Sequence, residues 1–131
     1  MVSGVRSALI ASVLVVVSSS AVGLGLELSL PDGWYDAYGE IPWKEEALRL
    51  DSFAFDLRRH PNYLGYVAIY AGKNESADRV KARTARSKDH LVAKRNIEEG
   101  RIIMINAGRK DKRWTILQPV DKNTPAPDFG P

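Results

Sequence analysis

Between Pro42 and His60, Trp43, Ala47, Leu50, Ala54 and Leu57 recur at steps of three or four residues, and Phe53 widens the stripe. That period predicts an amphipathic helix. Pro42 suits its first helical position, where a missing N–H costs nothing. Glu45 and Glu46 stand near the positive end of the helix dipole, Arg58, Arg59 and His60 near the negative end, and Pro61 stops it. Gly65 to Gly72 is a continuous β-rich run of the kind found in a sheet covered on both faces, which predicts a central strand. From Ser76 to Arg95 the pattern turns helical again, with Ser76 as N-cap and a thin apolar stripe of Ala77, Val80, Thr84, Ser87 and Leu91. Arg101 to Gly108 is a second buried-strand pattern, and Trp114 to Leu117 a last strand after the charged turn Arg109 to Arg113. Trp34 to Tyr38, aromatic and set between Gly33 and Gly39, predicts a first strand.

The order is therefore β-α-β-α-β-β. Strands alternating with helices predict an α/β domain of the α+β sandwich kind, with two helices packed on a mostly parallel or mixed sheet. This domain is expected over residues 34–120. Before it, Met1 to Arg6, the apolar run Ala8 to Val17 and the small residues Ser18 to Ala21 have the three-part form of a secretory signal. Cleavage is expected after Ala21, with Gly23 as the alternative, so that residues 1–21 form the leader and 22–33 a connector. An uncleaved anchor is the other reading, but Ser18 to Ser20, Gly23, Gly25 and Glu27 interrupt the apolar length it needs. The export reading places the protein in the periplasm or cell envelope, with no transmembrane helix in the mature chain. Beyond Val120, Pro125, Pro127 and Pro131 punctuate a polar segment, and residues 121–131 read as a disordered tail.

Composition narrows the chemistry. The chain has 131 residues and no cysteine, which excludes disulfides, thiolate metal sites and a nucleophilic thiol. The formal charge of +3, lowered by one on loss of a leader whose only charge is Arg6, is too mild to argue for nucleic acid. His60 and His90 do not fall in a metal-ligand spacing. No G-x-S-x-G elbow or phosphate loop is present. Glu45 and Glu46 are adjacent and diverge by about 100° on a helix, so dipole complementarity accounts for them better than acid–base work. The reading is of a protein that is not an enzyme and takes no cofactor. Asn74-Glu75-Ser76 matches the glycosylation sequon, a common pattern that matters only in a secreted eukaryotic protein.

The second helix is the unusual feature. Arg79, Lys81, Arg83, Arg86, Lys88, Lys94 and Arg95 face only Asp78 and Asp89 within it. Arg79, Arg83 and Arg86 share one face at i, i+4 and i+7, a fork-like set suited to a carboxylate or phosphate. A solvated face with paired cations is the alternative.

The segment from Gly65 to Ile105 resembles the OmpA-like domain, a periplasmic β-α-β-α-β-β module that anchors bacterial envelope proteins to peptidoglycan. The resemblance is carried by the strand ending at Gly72, by Arg83 to Val92, which follows the family's helix pattern loosely, and by Asn96 to Ile102, which follows its helix-to-strand pattern closely. Asn96 stands where the family has glycine, and both residues tolerate the left-handed conformation that ends a helix. In the family an Asp after the first glycine-ended strand and an Arg in the next helix grip the diaminopimelate of the peptide stem. The resemblance implies that role for Arg83, or for Arg86 if the register shifts. Lys73-Asn74-Glu75 offers no matching Asp. The expectations are a non-catalytic envelope module binding peptidoglycan or another anionic wall component, or a structural or protein-interaction domain that has lost the ligand, with envelope proteins as partners. An exported enzyme comes third.

Overall fold

The computed structural model describes residues 35–130. The leader, its cleavage position, the connector and Trp34 lie outside them. Two helices pack with a four-stranded mixed sheet, an α+β fold. The elements are β1 (Asp36–Tyr38), α1 (Trp43–Arg59), β2 (Tyr63–Ala71), α2 (Ala77–Asp89), β3 (Ile102–Arg109) and β4 (Trp114–Asp121).

The strand order is β1-β4-β2-β3. β2 runs parallel to β3 and antiparallel to β4, which pairs antiparallel with β1 on its other side. The last of the described strands thus enters the interior of the sheet. β4 is longer than the Trp114 to Leu117 run suggested, and it contains Pro119. The proline is tolerated because β1 pairs only with Thr115 to Leu117, which leaves that flank of β4 open further on.

Helix boundaries differ from expectation for local reasons. Pro42 is the N-cap of α1 rather than its first residue, because its ψ of 148° is extended; its carbonyl accepts from the Glu45 and Glu46 amides, both at 3.0 Å. Ser76 caps α2 as expected, its Oγ accepting from the Arg79 amide at 3.2 Å. α2 does not run to Arg95. It ends at Asp89 and widens into a π-turn over His90–Lys94. Asn96 then reverses the chain at φ 59°, the left-handed conformation expected of it.

Both helices lie on one sheet face. Leu50, Phe53, Ala54 and Leu57 of α1 join Leu91, Ile97, Val67, Ile69, Ile102 and Leu117 in the core. Gly65 lets α1 sit close to β2: a Cβ there would lie 2.6 Å from Leu57 Cδ1 and 3.0 Å from Phe53 Cζ. Arg101, just before β3, closes the far end of α1 by donating to the carbonyls of Leu57 at 2.7 Å and His60 at 2.8 Å. A guanidinium from elsewhere in the chain thus satisfies carbonyls that a helix end leaves open.

The opposite sheet face is not bare. Tyr66, Ala68 and Tyr70 point to it and are all buried. The last described residues turn back over them: the Phe129 ring lies tilted against Tyr66 with centroids 6.2 Å apart, and the Tyr70 hydroxyl is shared between the carbonyls of Phe129 at 2.9 Å and Gly130 at 3.1 Å. Residues 121–131 were expected to be disordered from their polar, proline-rich composition. Instead Asp121 belongs to β4, and Lys122, Asn123, Thr124, Phe129 and Gly130 make hydrogen bonds or ring contacts.

Candidate functional site

The arginines expected to share a ligand do three different jobs. Arg83 points inward and is 7 % exposed, so it is not a solvated cation. Its Nε donates to Glu75 Oε2 at 2.7 Å and its Nη2 to Glu75 Oε1 at 2.8 Å, a bidentate fork. Nη2 also reaches the Tyr70 carbonyl at 3.0 Å and Nη1 the Thr115 hydroxyl at 3.4 Å. Guanidinium and carboxylate thereby complete each other inside the fold. Their geometry leaves Arg83 little to offer a ligand.

Arg86 lies over the ring of Trp43, its guanidinium carbon 4.4 Å from the centroid, and contacts Glu46 Oε1 at 3.3 Å. It fastens α2 to α1. Glu46 itself is buried, and its other oxygen accepts from the Tyr38 hydroxyl at 2.8 Å. Helix-dipole complementarity alone therefore does not explain this residue. Burial, reinforced by the Glu46 charge, holds the Tyr38 phenol protonated far above its ordinary range.

Arg79 is exposed and forms no ion pair among the described residues. It lies on an open groove of about 590 Å³ at the C-terminal end of β2, with Lys73, Lys112, Arg113 and Trp114 around it and Glu75 in its lining. The groove's rim is well braced. Gly72 donates its amide to Glu75 Oε1 at 3.0 Å, Lys73 donates its amide to the Asp111 carbonyl at 3.2 Å, and Arg109 Nη1 holds the carbonyls of Gly72 and Glu75 at 2.6 and 2.9 Å. A Cβ on Gly72 would come within 3.0 Å of the Arg113 amide nitrogen, so glycine allows the two loops to meet. Hydrogen bonding from Arg83, assisted by the Gly72 amide and the Arg113 charge, overcomes desolvation and holds the Glu75 carboxyl at about 2. Glu75 is thus a fixed anion, already neutralised by Arg83. Arg113 is largely covered and lies 3.8 Å from Glu40 and 3.9 Å from Glu75, so the exposed cations of the groove are Lys73, Arg79 and Lys112, with Glu40 and Asp111 on the same rim.

A second polar cluster lies at the other end of α2. His90 Nε2 is 2.7 Å from Asp51 Oδ1, and Arg95 reaches the same carboxylate with Nε at 2.6 Å and Nη2 at 3.1 Å. Trp43 stands edge-on to His90 with centroids 5.4 Å apart. Arg95, then His90, holds the Asp51 carboxyl at about 2. His90 is thus an interhelix residue, and His60 is exposed beside Tyr63. No group of three or more potential ligands that could hold a metal occurs among the described residues, and no described helix is long and apolar enough to cross a membrane.

The sequence spacing put Arg79, Arg83 and Arg86 on one helix face, but the structure sends Arg83 inward and Arg86 onto Trp43 and leaves Arg79 alone at a groove the spacing did not foresee. Its other cations come from the loop after β2 and the turn before β4, which are distant in the chain. Glu75 had one visible sign, an acidic residue standing just before a very basic helix. No protein-family model matches the chain, and no curated protein matches it.

Proposed function

We propose that this domain is an exported, non-catalytic cell-envelope module that binds an anionic wall component, peptidoglycan being the leading candidate, in the groove lined by Lys73, Arg79, Lys112 and Arg113. The observation that carries the reading is the convergence of these cations from three segments on one braced opening. The resemblance of Gly65 to Ile105 to the OmpA-like domain supports it, since the groove opens beside Arg83. The ligand contact moves from Arg83 itself to the exposed Lys73, Arg79 and Lys112, while the Arg83–Glu75 pair, with Arg113 3.9 Å from Glu75, braces the groove from within.

The test is co-sedimentation with purified peptidoglycan sacculi at low salt, comparing wild type with Arg79→Ala, Lys112→Ala and the control Lys94→Ala. A charge-assisted contact contributes about 1.5–3 kcal/mol, so Arg79→Ala should weaken binding roughly ten- to a hundredfold. Added salt should weaken all binding, and Lys94→Ala should behave as wild type. Absence of wild-type binding, or equal binding by all four proteins, overturns the reading. The internally satisfied Arg83–Glu75 pair favours one alternative, a structural or interaction domain without a wall ligand, and that outcome would select it.

A further inference from the structure

The tail contact on the sheet face opposite the helices has features of an occupied binding surface. Strand register places Ile103 beside Tyr66, with Ile105 and Ile116 on either side of Ala68 and Trp114 beside Tyr70. Paired residues project to the same side of a sheet. The face is therefore a mainly apolar strip with aromatic side chains, with Gln118 on the other side of Tyr66 and Lys110 at its flank, its Nζ 4.5 Å from the Tyr70 centroid.

The covering segment, Thr124-Pro-Ala-Pro-Asp-Phe-Gly130, has a composition that favours extended backbone. It reaches the strip after a turn in which the Asn123 amide donates to Asp121 Oδ1 and the Thr124 amide to the Asp121 carbonyl. Residues 125–130 make no backbone-to-backbone hydrogen bond among the described residues. Their hold consists of the Phe129 ring on Tyr66 and the Tyr70 hydroxyl on two carbonyls. The segment is thus held through one aromatic anchor and one tyrosine, without a strand ladder. Aromatic grooves accept proline-containing segments because such chains lose little entropy on docking.

We propose that this strip is a docking surface for an extended, proline-punctuated peptide carrying an aromatic anchor, and that the chain's own residues 124–130 occupy it in cis. A partner protein bearing such a segment would bind by displacing the tail. The short tether sets the local concentration of the tail in the millimolar range, so a free peptide competes poorly until the anchor is removed.

The experiment titrates a synthetic peptide of residues 122–130 into the isotopically labelled full chain and follows the Tyr66 to Tyr70 amides by NMR. With Phe129→Ala, these amides should shift saturably, at peptide concentrations at least tenfold lower than wild type requires. A peptide with alanine in place of the phenylalanine should shift neither protein. The proposal fails if the variant does not respond, if wild type and variant respond equally, or if the alanine peptide works as well. Light scattering across protein concentration accompanies the titration; dimerisation of wild type that Phe129→Ala abolishes would assign the occupant to a second copy and overturn the cis arrangement. Preserved amide dispersion in the variant shows that the fold survives. Phe129→Ala and the peptide leave Lys73, Arg79 and Lys112 of the groove unchanged, so the two proposals are tested separately although Trp114 borders both surfaces.

Discussion

The two ends of α2 hold clusters made from the same materials, an arginine joined bidentately to a carboxylate from another segment, and they differ in what surrounds them. Arg83 and Glu75 are both 7 % exposed, whereas Arg95 and Asp51 are 41 % and 31 % exposed. The bond lengths are nearly alike, with closest contacts of 2.7 and 2.6 Å. Geometry therefore does not separate the clusters; desolvation does. In the buried pair, removing one partner strands the other in a low-dielectric site. In the open pair water takes the place of the lost partner, and the interaction contributes little.

Arg83→Ala tests this most severely. It should cost about 3–5 kcal/mol in chemical denaturation, because it strips the buried Glu75 carboxylate of its bidentate counter-ion and leaves only Arg113, at 3.9 Å. That is a large part of the roughly 5–15 kcal/mol that stabilises a typical domain. A loss below about 1 kcal/mol, as expected for a solvated arginine, would erase the contrast between the two ends.

Acid provides the next largest effect. Glu75 is held at about 2 against an ordinary 4.5, so the folded state binds its proton more weakly than the unfolded state does. A depressed carboxyl contributes stability that is present above the unfolded value and lost as pH falls through the folded one. Wild type should accordingly lose on the order of 3 kcal/mol from this group between about pH 5 and pH 2. Glu75→Gln should be less stable at neutral pH and show a flatter acid limb in denaturation measured across that window. An acid limb unchanged by the substitution would remove Glu75 as its source.

Asp51 is also held at about 2, from 3.8, so its contribution has the same sign and fades as pH falls through the same region. Its solvent exposure makes it the weaker of the two. Asp51→Asn should cost no more than about 1 kcal/mol at neutral pH, and less at high salt, where exposed charges are screened. A salt-independent loss as large as that of Arg83→Ala would show that the open cluster behaves as a buried one.

Between the clusters, Ser87 is fully buried, and its hydroxyl finds no partner among the described residues. An unsatisfied buried hydroxyl costs about 1–3 kcal/mol, and its removal leaves only a small void. Ser87→Ala should be neutral or stabilising by up to about 1 kcal/mol in the same denaturation assay. A clear loss would mean that this hydroxyl has a partner in solution and that polar contacts run unbroken along the helix.

The features legible in the sequence are those governed by near neighbours. The order of elements followed from periods of three to four against continuous apolar runs. The Ser76 cap and the left-handed Asn96 followed from side chains acting on adjacent backbone. The basic character of α2 was equally plain. Whether each cation on it would be solvated, paired or buried was not, because that depends on partners brought in by the fold. Glu75 lies eight residues before Arg83, and Glu46 lies forty residues before Arg86. Arg101 seals a helix whose last turn is more than forty residues earlier. The same limit hid the sheet order, since the insertion of β4 beside β2 is a pairing between distant strands, and it hid the tail, whose polar composition concealed the one phenylalanine that meets Tyr66. Local conformation is set by steric and hydrogen-bonding terms within a few residues. Charge burial and strand pairing are set by which distant surfaces exclude water together, and only the tertiary structure decides that.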